Sequence, residues 1–266
     1  MIISEGFEPY IDLMHELANA AAPVSLKYFK KNIDISNKGP KLNSSFDPVT
    51  MADLSTEKTI REIIRKHYPD HNIMGEEQPD EQKNSNYTWI IDPIDGTRAY
   101  ITGIPTWGTL VALQYKGKTI AGMLDQPYLK ERYIGTSKST LLNGNKIKTR
   151  ACKTIHEATI STTDPLTLFT NQNEQDKFLR IAADAKIMRN GYDCYAYAMV
   201  AAGFIDVVIE SGLEAYDIQA LIPIIEGAGG IVTNWQGAPV ITGGQVVASG
   251  DTIVHKQVIK SLNKAI

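Results

Sequence analysis

The sequence predicts an α+β fold in which two parts of the chain each form their own strands. A run of short β-rich segments between Trp107 and Leu142, punctuated by turn residues, indicates an antiparallel meander. Beyond residue 150, segments with strand and helix patterns alternate, which favours a second α/β half. With 266 residues and 43% hydrophobic content, the chain can bury a sizeable core. We therefore expect one compact unit made of subdomains 1–150 and 151–266, with a cleft between them.

Composition excludes several classes of function. The net charge of −3 and the pI near 6.0 argue against a nucleic-acid-binding surface. No stretch approaches the roughly 20 apolar residues of a membrane span, and Met1–Tyr10 does not have the pattern of a signal peptide. Cys152 and Cys194 lie far apart and the histidines form no paired motif, which argues against zinc. These features are typical of a reduced cytoplasmic protein.

The first 70 residues predict two helices and an intervening loop. Apolar residues recur at helical spacing from Glu8 to Lys31, and the polar segment Asn37–Pro48 reads as a loop. Lys38 and Lys41 in this loop either reach an anion or are simply solvated. Thr50 can cap the second helix, with Asp53 as the acid of a capping box.

The stretch Trp89–Arg98 is the most informative part of the chain. Tyr87–Ile91 has the composition of a buried strand, and it ends at Asp92, where ligands of open α/β sheets usually bind. Pro93 turns the chain, so that Asp95 can converge on the same point as Asp92. Two carboxylates held together share a proton or a cation, and oxygen ligands suit Mg²⁺. The alternative is an Asp-Pro turn followed by an Asp cap, without chemistry.

Acids occupy similar positions elsewhere in the chain. Glu76 follows the strand-like segment Asn72–Met74, Glu210 ends another strand, and Asp217 begins an apolar helix. Each has a local alternative, such as solvent exposure for the adjacent acids Glu76 and Glu77. Together they favour one acidic site, because functional residues gather at strand ends and helix starts.

These motifs resemble those of the inositol monophosphatase superfamily, which comprises Mg²⁺-dependent, lithium-sensitive phosphatases. Tyr216 stands where the family usually has tryptophan ahead of the distal aspartate. The matching segments follow the family order and are Asp47-Pro48-Val49-Thr50-Met51-Ala52-Asp53, Gly75-Glu76-Glu77, Asp92-Pro93-Ile94-Asp95-Gly96-Thr97, Tyr216-Asp217 and Glu226-Gly227-Ala228-Gly229-Gly230.

The resemblance implies a layered αβαβα sandwich and a homodimer. It also implies that Asp53 and Thr97 orient and activate the attacking water, with Glu76 counted as catalytic as well as metal-binding. Gly96 and Thr97 would bind phosphate through their backbone N–H groups. The implied metal ligands are the side chains of Glu76, Asp92, Asp95 and Asp217 and the carbonyl of Ile94.

Charge balance agrees with these implied roles. The carboxylates and a phosphate monoester, which carries nearly two negative charges at neutral pH, cannot assemble without cations; roughly two or three Mg²⁺ ions would balance them.

Other segments resemble the histidinol-phosphate phosphatases of this superfamily. They are Ile104–Leu113, Gly191–Tyr197 and Tyr216–Pro223, and Arg98 follows Gly96-Thr97, where inositol enzymes usually carry Thr-Asn. The resemblance implies hydrolysis of L-histidinol phosphate, a step of histidine biosynthesis. Acids would suit its ammonium and imidazole groups, although Asp193 can instead be a helix cap and Arg98 an exposed helix residue. The implied substrate-binding residues are Gly96, Thr97, Arg98, Gly191, Tyr192, Asp193, Glu210 and Asp217.

Two alternatives remain open from the sequence. One is an inositol-1-monophosphatase or broad sugar-phosphate phosphatase on the same scaffold; bisphosphate nucleotidases share the metal motif, but nothing in the chain favours a nucleotide pocket. The other is a non-catalytic regulator that binds metal and phosphate.

Overall fold

A computed structural model describes residues 7–39 and 46–264, and Lys41 lies outside these ranges. The helices are α1 Glu8–Leu26, α2 Met51–His67, α3 Thr97–Ile101, α4 Gln172–Asp184, α5 Asp193–Ala201, α6 Ala215–Ile218, α7 Leu221–Gly227 and α8 Thr252–Leu262. The strands are β1 Ile35–Asn37, β2 Pro48–Thr50, β3 Asn72–Gly75, β4 Tyr87–Asp95, β5 Gly108–Tyr115, β6 Lys118–Gln126, β7 Glu131–Thr136, β8 Thr140–Leu142, β9 Asn145–Ile147, β10 Thr159–Thr162, β11 Ile187–Asn190, β12 Val207–Leu213, β13 Ile231–Thr233 and β14 Gly244–Ser249.

The first large sheet has seven strands in chain order from β3 to β9, and all but the β3–β4 pair are antiparallel. This is the predicted meander. Successive side chains of its strands point to opposite faces. Trp89 and Ile91 therefore pack against α1 and α2, whereas Ile90 faces the interior of the molecule.

Helices α5, α6 and α7 form the middle layer. Their apolar residues share one buried cluster with Ile90 and Leu110 of the first sheet and Val208 and Val246 of the second. Gly122 and Gly135 let α7 approach the first sheet, because a Cβ at Gly135 would lie 2.3 Å from the Cα of Ile224.

The second large sheet has five strands in the order β11-β10-β12-β14-β13. Its outer face packs against α4 and α8 through residues such as Phe178, Val254 and Val258. The succession is helices, sheet, helices, sheet, helices, which confirms the layered αβαβα sandwich. The division into subdomains 1–150 and 151–266 stays a proposal, and the middle layer joins the two sheets in one core.

Several predicted elements differ from the structure. Helix α1 ends at Leu26 rather than Lys31, soon after Pro23, which lacks the N–H for a helical hydrogen bond. The supposed loop 37–48 is bounded by the antiparallel pair β1–β2. Strand β12 continues to Leu213, so Glu210 lies within a strand instead of ending it.

Strand β4 also runs farther than predicted, to Asp95 instead of Ile91. Asp92 pairs with Leu110 and Asp95 with Gly108, so Pro93 and Ile94 lie opposite the single residue Thr109. This is a β-bulge, and it tolerates proline because the ladder is interrupted there. Among the described residues, no helix is long and apolar enough to cross a membrane.

Candidate active site

A pocket opens where β4, β12, α5 and α6 meet, between the two large sheets. Most of the residues predicted for the site lie in its wall. The lining residues are Asp47, Pro48, Glu76, Asp92, Ile94, Asp95, Gly96, Thr97, Arg98, Thr163, Leu168, Asp193, Cys194, Tyr197, Glu210, Ser211, Gly212, Leu213 and Asp217.

A cluster of aspartates forms one part of this wall. The carboxylate oxygens of Asp92, Asp95 and Asp217 lie within 4.8 Å of one another. The bulge in β4 brings the first two together, and the start of α6 supplies the third. Oδ2 of Asp92 is buried and has no hydrogen-bond partner among the described residues. A buried carboxylate oxygen without a partner is costly, so the cluster fits a metal cation.

The electrostatics of the cluster point the same way. Burial, together with the charges of Glu76 and Asp95, raises the pKa of Asp92 well above its ordinary value. Burial and the charge of Asp193 raise the pKa of Asp95 to about 7. All the donors are carboxylate oxygens, which favour hard divalent cations over zinc or copper.

Glu76 approaches the cluster from the end of β3. It interacts with Asp92, while Nζ of Lys38 lies 2.9 Å from Oε1 of Glu76 and 2.6 Å from Oε1 of Glu77. Lys38 is thus not simply solvated, and the anions that it reaches are two carboxylates of the protein itself.

A buried ion pair on α2 fixes the turn that carries Glu76. Nε of Arg61 donates to Oε1 of Glu57 at 2.7 Å, and both residues are almost fully buried. Oε2 of Glu57 accepts from the backbone N–H of Glu77 at 2.8 Å, and Arg61 donates to the carbonyl of Gln78. The turn is therefore fixed by hydrogen bonds to Glu57 and Arg61, a pair that the sequence did not predict.

Asp53 and Thr97 meet beside the cluster. Asp53 completes the capping box of α2 with Thr50 as predicted, because its Oδ2 accepts from the N–H of Thr50 at 2.9 Å and from the Thr50 hydroxyl at 2.6 Å. The Thr97 hydroxyl lies 3.4 Å from the other carboxylate oxygen of Asp53 and 3.2 Å from the carbonyl of Ile94. The cap and the contact with Thr97 coexist, since each uses a different oxygen of Asp53.

Gly96 allows the start of α3 to approach α5. Its φ of +84° lies in the left-handed region, and a Cβ there would sit 2.9 Å from Cβ of Asp193. Both facts require glycine. Gly96 therefore lies directly beside Asp193, and Gly96, Thr97 and Asp193 line the same pocket.

Asp193 and Glu210 form the second acidic wall. Tyr192 is the N-cap of α5 and Asp193 its first residue, so the helix-cap alternative for Asp193 is wrong. Oε1 of Glu210 accepts from the N–H of Thr163 at 2.6 Å and from its hydroxyl at 2.8 Å. Burial raises the pKa of both carboxyl groups to about 7, and the charge of Glu210 adds to the shift of Asp193.

Arg98 lines the pocket, but its hydrogen bonds go to the protein. Its guanidinium donates to the carbonyl of Phe46 at 3.0 Å and to the hydroxyl of Thr167 at 3.1 Å. Neither Gly191 nor Tyr192 lines the pocket. The carbonyl of Gly191 instead accepts from Thr106, and the Tyr192 hydroxyl accepts from Arg189.

Several lining residues were not predicted. Thr163, Leu168 and Ser211 come from segments that carry no motif, so the sequence offered no signal for them. Tyr197 could have been found, because it lies in the first turn of the helix that was predicted to follow Asp193.

The sequence matches the family described as "Inositol monophosphatase family" over residues 7–266. The chain belongs to the inositol monophosphatase family. It is accordingly a phosphatase, and the acidic cluster is consistent with the metal dependence general in that family.

Relatives within the family carry different names. The chain is 45% identical to the bifunctional phosphatase IMPL2, chloroplastic, of Arabidopsis thaliana, over 92% of this chain and 72% of that protein. It is 32% identical to a histidinol-phosphatase of Chlorobaculum parvum, over 96% of both chains. An inositol monophosphatase structure from Zymomonas mobilis superposes with a TM-score of 0.87 and 35% identity, over 98% of this chain and 100% of that one.

Proposed function

We propose that the protein hydrolyses L-histidinol phosphate to L-histidinol and phosphate in a Mg²⁺-dependent reaction. The observation that carries this proposal is a second acidic wall, Asp193 and Glu210, in the same pocket as the aspartate cluster. The cluster supplies the phosphatase chemistry, and the second wall suits a cationic leaving group.

Glu76, Asp92, Asp95, Asp217 and the carbonyl of Ile94 would hold Mg²⁺, about two or three ions per site. When bound, the ions would lower the pKa of water and neutralise charge on the phosphoryl group and the leaving oxygen. The unpartnered Oδ2 of Asp92 supports this role, because it has no other use among the described residues.

The chain's own residues would position the reactants. The Thr97 hydroxyl, beside Asp53, would accept or donate a hydrogen bond at the attacking water, with Asp53 taking up a proton through it. Gly96 and Thr97 would direct backbone N–H groups to the phosphate. Positioning and electrostatics of this kind supply most of the barrier reduction in phosphoryl transfer.

The acidic wall would select the substrate. Histidinol phosphate carries an ammonium group and an imidazole that is readily protonated, and carboxylates stabilise both. A neutral polyol such as inositol offers only hydroxyl groups. Glu210 could contact either kind of substrate, so Asp193 is the more selective of the two. Support also comes from the histidinol-phosphatase of Chlorobaculum parvum, which matches nearly the whole chain.

Arg98 has a different role in this proposal. Its contacts with Phe46 and Thr167 join two segments beside the pocket, so we assign it to positioning these segments rather than to direct binding. We retain substrate contact as a proposal for Gly191 and Tyr192 through movements on binding.

An inositol-1-monophosphatase is the second candidate, favoured by the close structural match to the Zymomonas mobilis enzyme. A non-catalytic regulator would not require the contact between Thr97 and Asp53. Homodimer formation, inhibition by lithium, a cytoplasmic location and a place in histidine biosynthesis are parts of the same proposal; the Arabidopsis relative is named as chloroplastic.

Phosphate release from L-histidinol phosphate tests the proposed function. We expect turnover with Mg²⁺ and none after chelation with EDTA, with recovery when Mg²⁺ is restored. The Asp95→Asn variant serves as the inactive control. Absence of Mg²⁺-dependent release from any phosphate monoester would favour the regulator, whereas release from inositol 1-phosphate alone would favour the second candidate.

A further inference from the structure

The hydroxyl of Tyr197 is a polar group in the pocket wall that none of the roles above uses. The Tyr197 side chain is 3% exposed and lines the pocket. Its hydroxyl is buried and has no hydrogen-bond partner among residues 7–39 and 46–264. Buried hydroxyl groups are nearly always paired, because an unpaired one costs about 1–3 kcal/mol. A group kept unpaired beside a ligand pocket is therefore available to a ligand.

The position of Tyr197 on α5 places it next to the acidic wall. Tyr197 follows Asp193 by four residues in α5, and both side chains line the same pocket. Glu210 acts electrostatically on both residues. Asp193, Glu210 and Tyr197 thus offer three oxygen acceptors around one part of the pocket.

The chemistry of these acceptors matches an ammonium group. An ammonium group has three N–H donors and one positive charge. Two carboxylates supply the compensating charge, and a neutral phenol oxygen supplies the remaining acceptor. Burial and the surrounding carboxylates, Glu210 first among them, raise the pKa of Tyr197, so the phenol stays protonated and neutral at physiological pH.

We propose that Tyr197 is a specificity-determining residue whose hydroxyl, together with Asp193 and Glu210, forms a subsite for the ammonium group of an amino-alcohol phosphate. The inference rests on the proposed function and narrows it to substrates with an amino group close to the phosphate ester. It concerns substrate recognition only, because the proposed function assigns catalysis to the aspartate cluster and Thr97.

The Tyr197→Phe variant tests this inference, because it removes only the hydroxyl. The substrates are L-histidinol phosphate and its counterpart without the amino group, 3-(imidazol-4-yl)propyl phosphate. We expect kcat/KM for histidinol phosphate to fall about 10-fold or more, as for loss of a hydrogen bond to a charged group. The value for the counterpart should stay within about twofold of wild type, the change expected for an uninvolved group. An equal loss on both substrates, or no loss on either, would overturn the inference.

Tyr195→Phe is the matched control. The Tyr195 hydroxyl donates to Oε2 of Glu131 at 2.8 Å, and the residue does not line the pocket. This variant should leave the ratio of kcat/KM for the two substrates unchanged. A similar change of the ratio in both variants would contradict a role specific to Tyr197.

Stability and binding provide readouts that do not depend on turnover. The Tm of Tyr197→Phe should not fall, because the lost hydroxyl has no partner in the protein; a lower Tm would reveal a structural role and contradict the inference. Calorimetry with Mg²⁺ and inorganic phosphate present should show about 10-fold weaker binding of L-histidinol to the variant, and equal affinity would overturn the inference. Failure of the proposed function appears separately, as absent release from histidinol phosphate by the wild type.

Discussion

The backbone N–H of Cys194 donates a 2.6 Å hydrogen bond to Oδ2 of Asp95. This bond ties the end of β4 in the first sheet to the first turn of α5, the helix that carries Asp193 and Tyr197. The aspartate cluster and the acidic wall are therefore coupled through one carboxylate. In the proposed reaction the Asp95 carboxylate would hold the metal while its Oδ2 keeps the start of α5 in place.

Asp95→Asn should reduce turnover by about a hundredfold or more while preserving the fold. Asparagine keeps an oxygen that can accept from Cys194 but removes the negative charge needed at a divalent cation, a contribution worth several kcal/mol. Phosphate release and circular dichroism measure the two effects. Near-normal activity would show that Asp95 is not a metal ligand.

Thr97→Val should lower kcat by about 10²- to 10³-fold, because it removes the hydroxyl that contacts Asp53 while preserving shape. Thr97→Ser retains the hydroxyl and should keep most of the activity. The Mg²⁺ affinity measured by calorimetry should change little in either variant. Equal activity of the two variants would exclude a role for the hydroxyl.

Asp193→Asn should selectively weaken the binding of histidinol phosphate. Asparagine tolerates the φ of +46° at this position, which alanine would adopt only with strain. The loss of charge should raise KM for histidinol phosphate about tenfold, with little change for an uncharged aryl phosphate. A uniform loss on both substrates would instead point to an altered pocket.

His255 provides a pH-dependent prediction away from the site. Its ring nitrogens hydrogen-bond with Thr233 and Ser249, and burial lowers its pKa to about 4. The unfolded chain takes up a proton near pH 6.5, whereas the folded protein does so only near pH 4. The stabilising contribution is therefore complete above about pH 6.5 and is lost as pH falls toward 4, by roughly 3 kcal/mol in all.

Urea unfolding of the wild type and His255→Gln between pH 7.5 and 4 measures this contribution. The wild type should lose more free energy of unfolding than the variant over that range. Parallel pH profiles would show that His255 is not the titrating group.

The sequence was sufficient for features set by local chemistry. The capping box of Thr50 and Asp53 and the tight turn at Asn143-Gly144, where both residues have positive φ, follow from short-range preferences. The layered fold followed from the resemblance and the meander. The aspartate cluster was also predicted, because its members occur in specific motifs.

Long-range geometry was beyond the sequence. The bulge at Pro93 depends on the register with β5, and that register is a property of the assembled sheet. The pairing of Lys38 with Glu76 and Glu77 joins residues about forty positions apart. The unpaired hydroxyl of Tyr197 is visible only when the whole pocket wall is in place, since it is defined by which partners are out of reach.

The most direct test of the central claim is the ratio of kcat/KM for L-histidinol phosphate to that for inositol 1-phosphate, measured with the wild-type protein and Mg²⁺. Fructose bisphosphate and adenosine bisphosphate complete the panel. An acidic wall that selects a cationic leaving group predicts a ratio well above one, with histidinol phosphate the best substrate of the four. A clearly higher kcat/KM for inositol 1-phosphate would contradict the account.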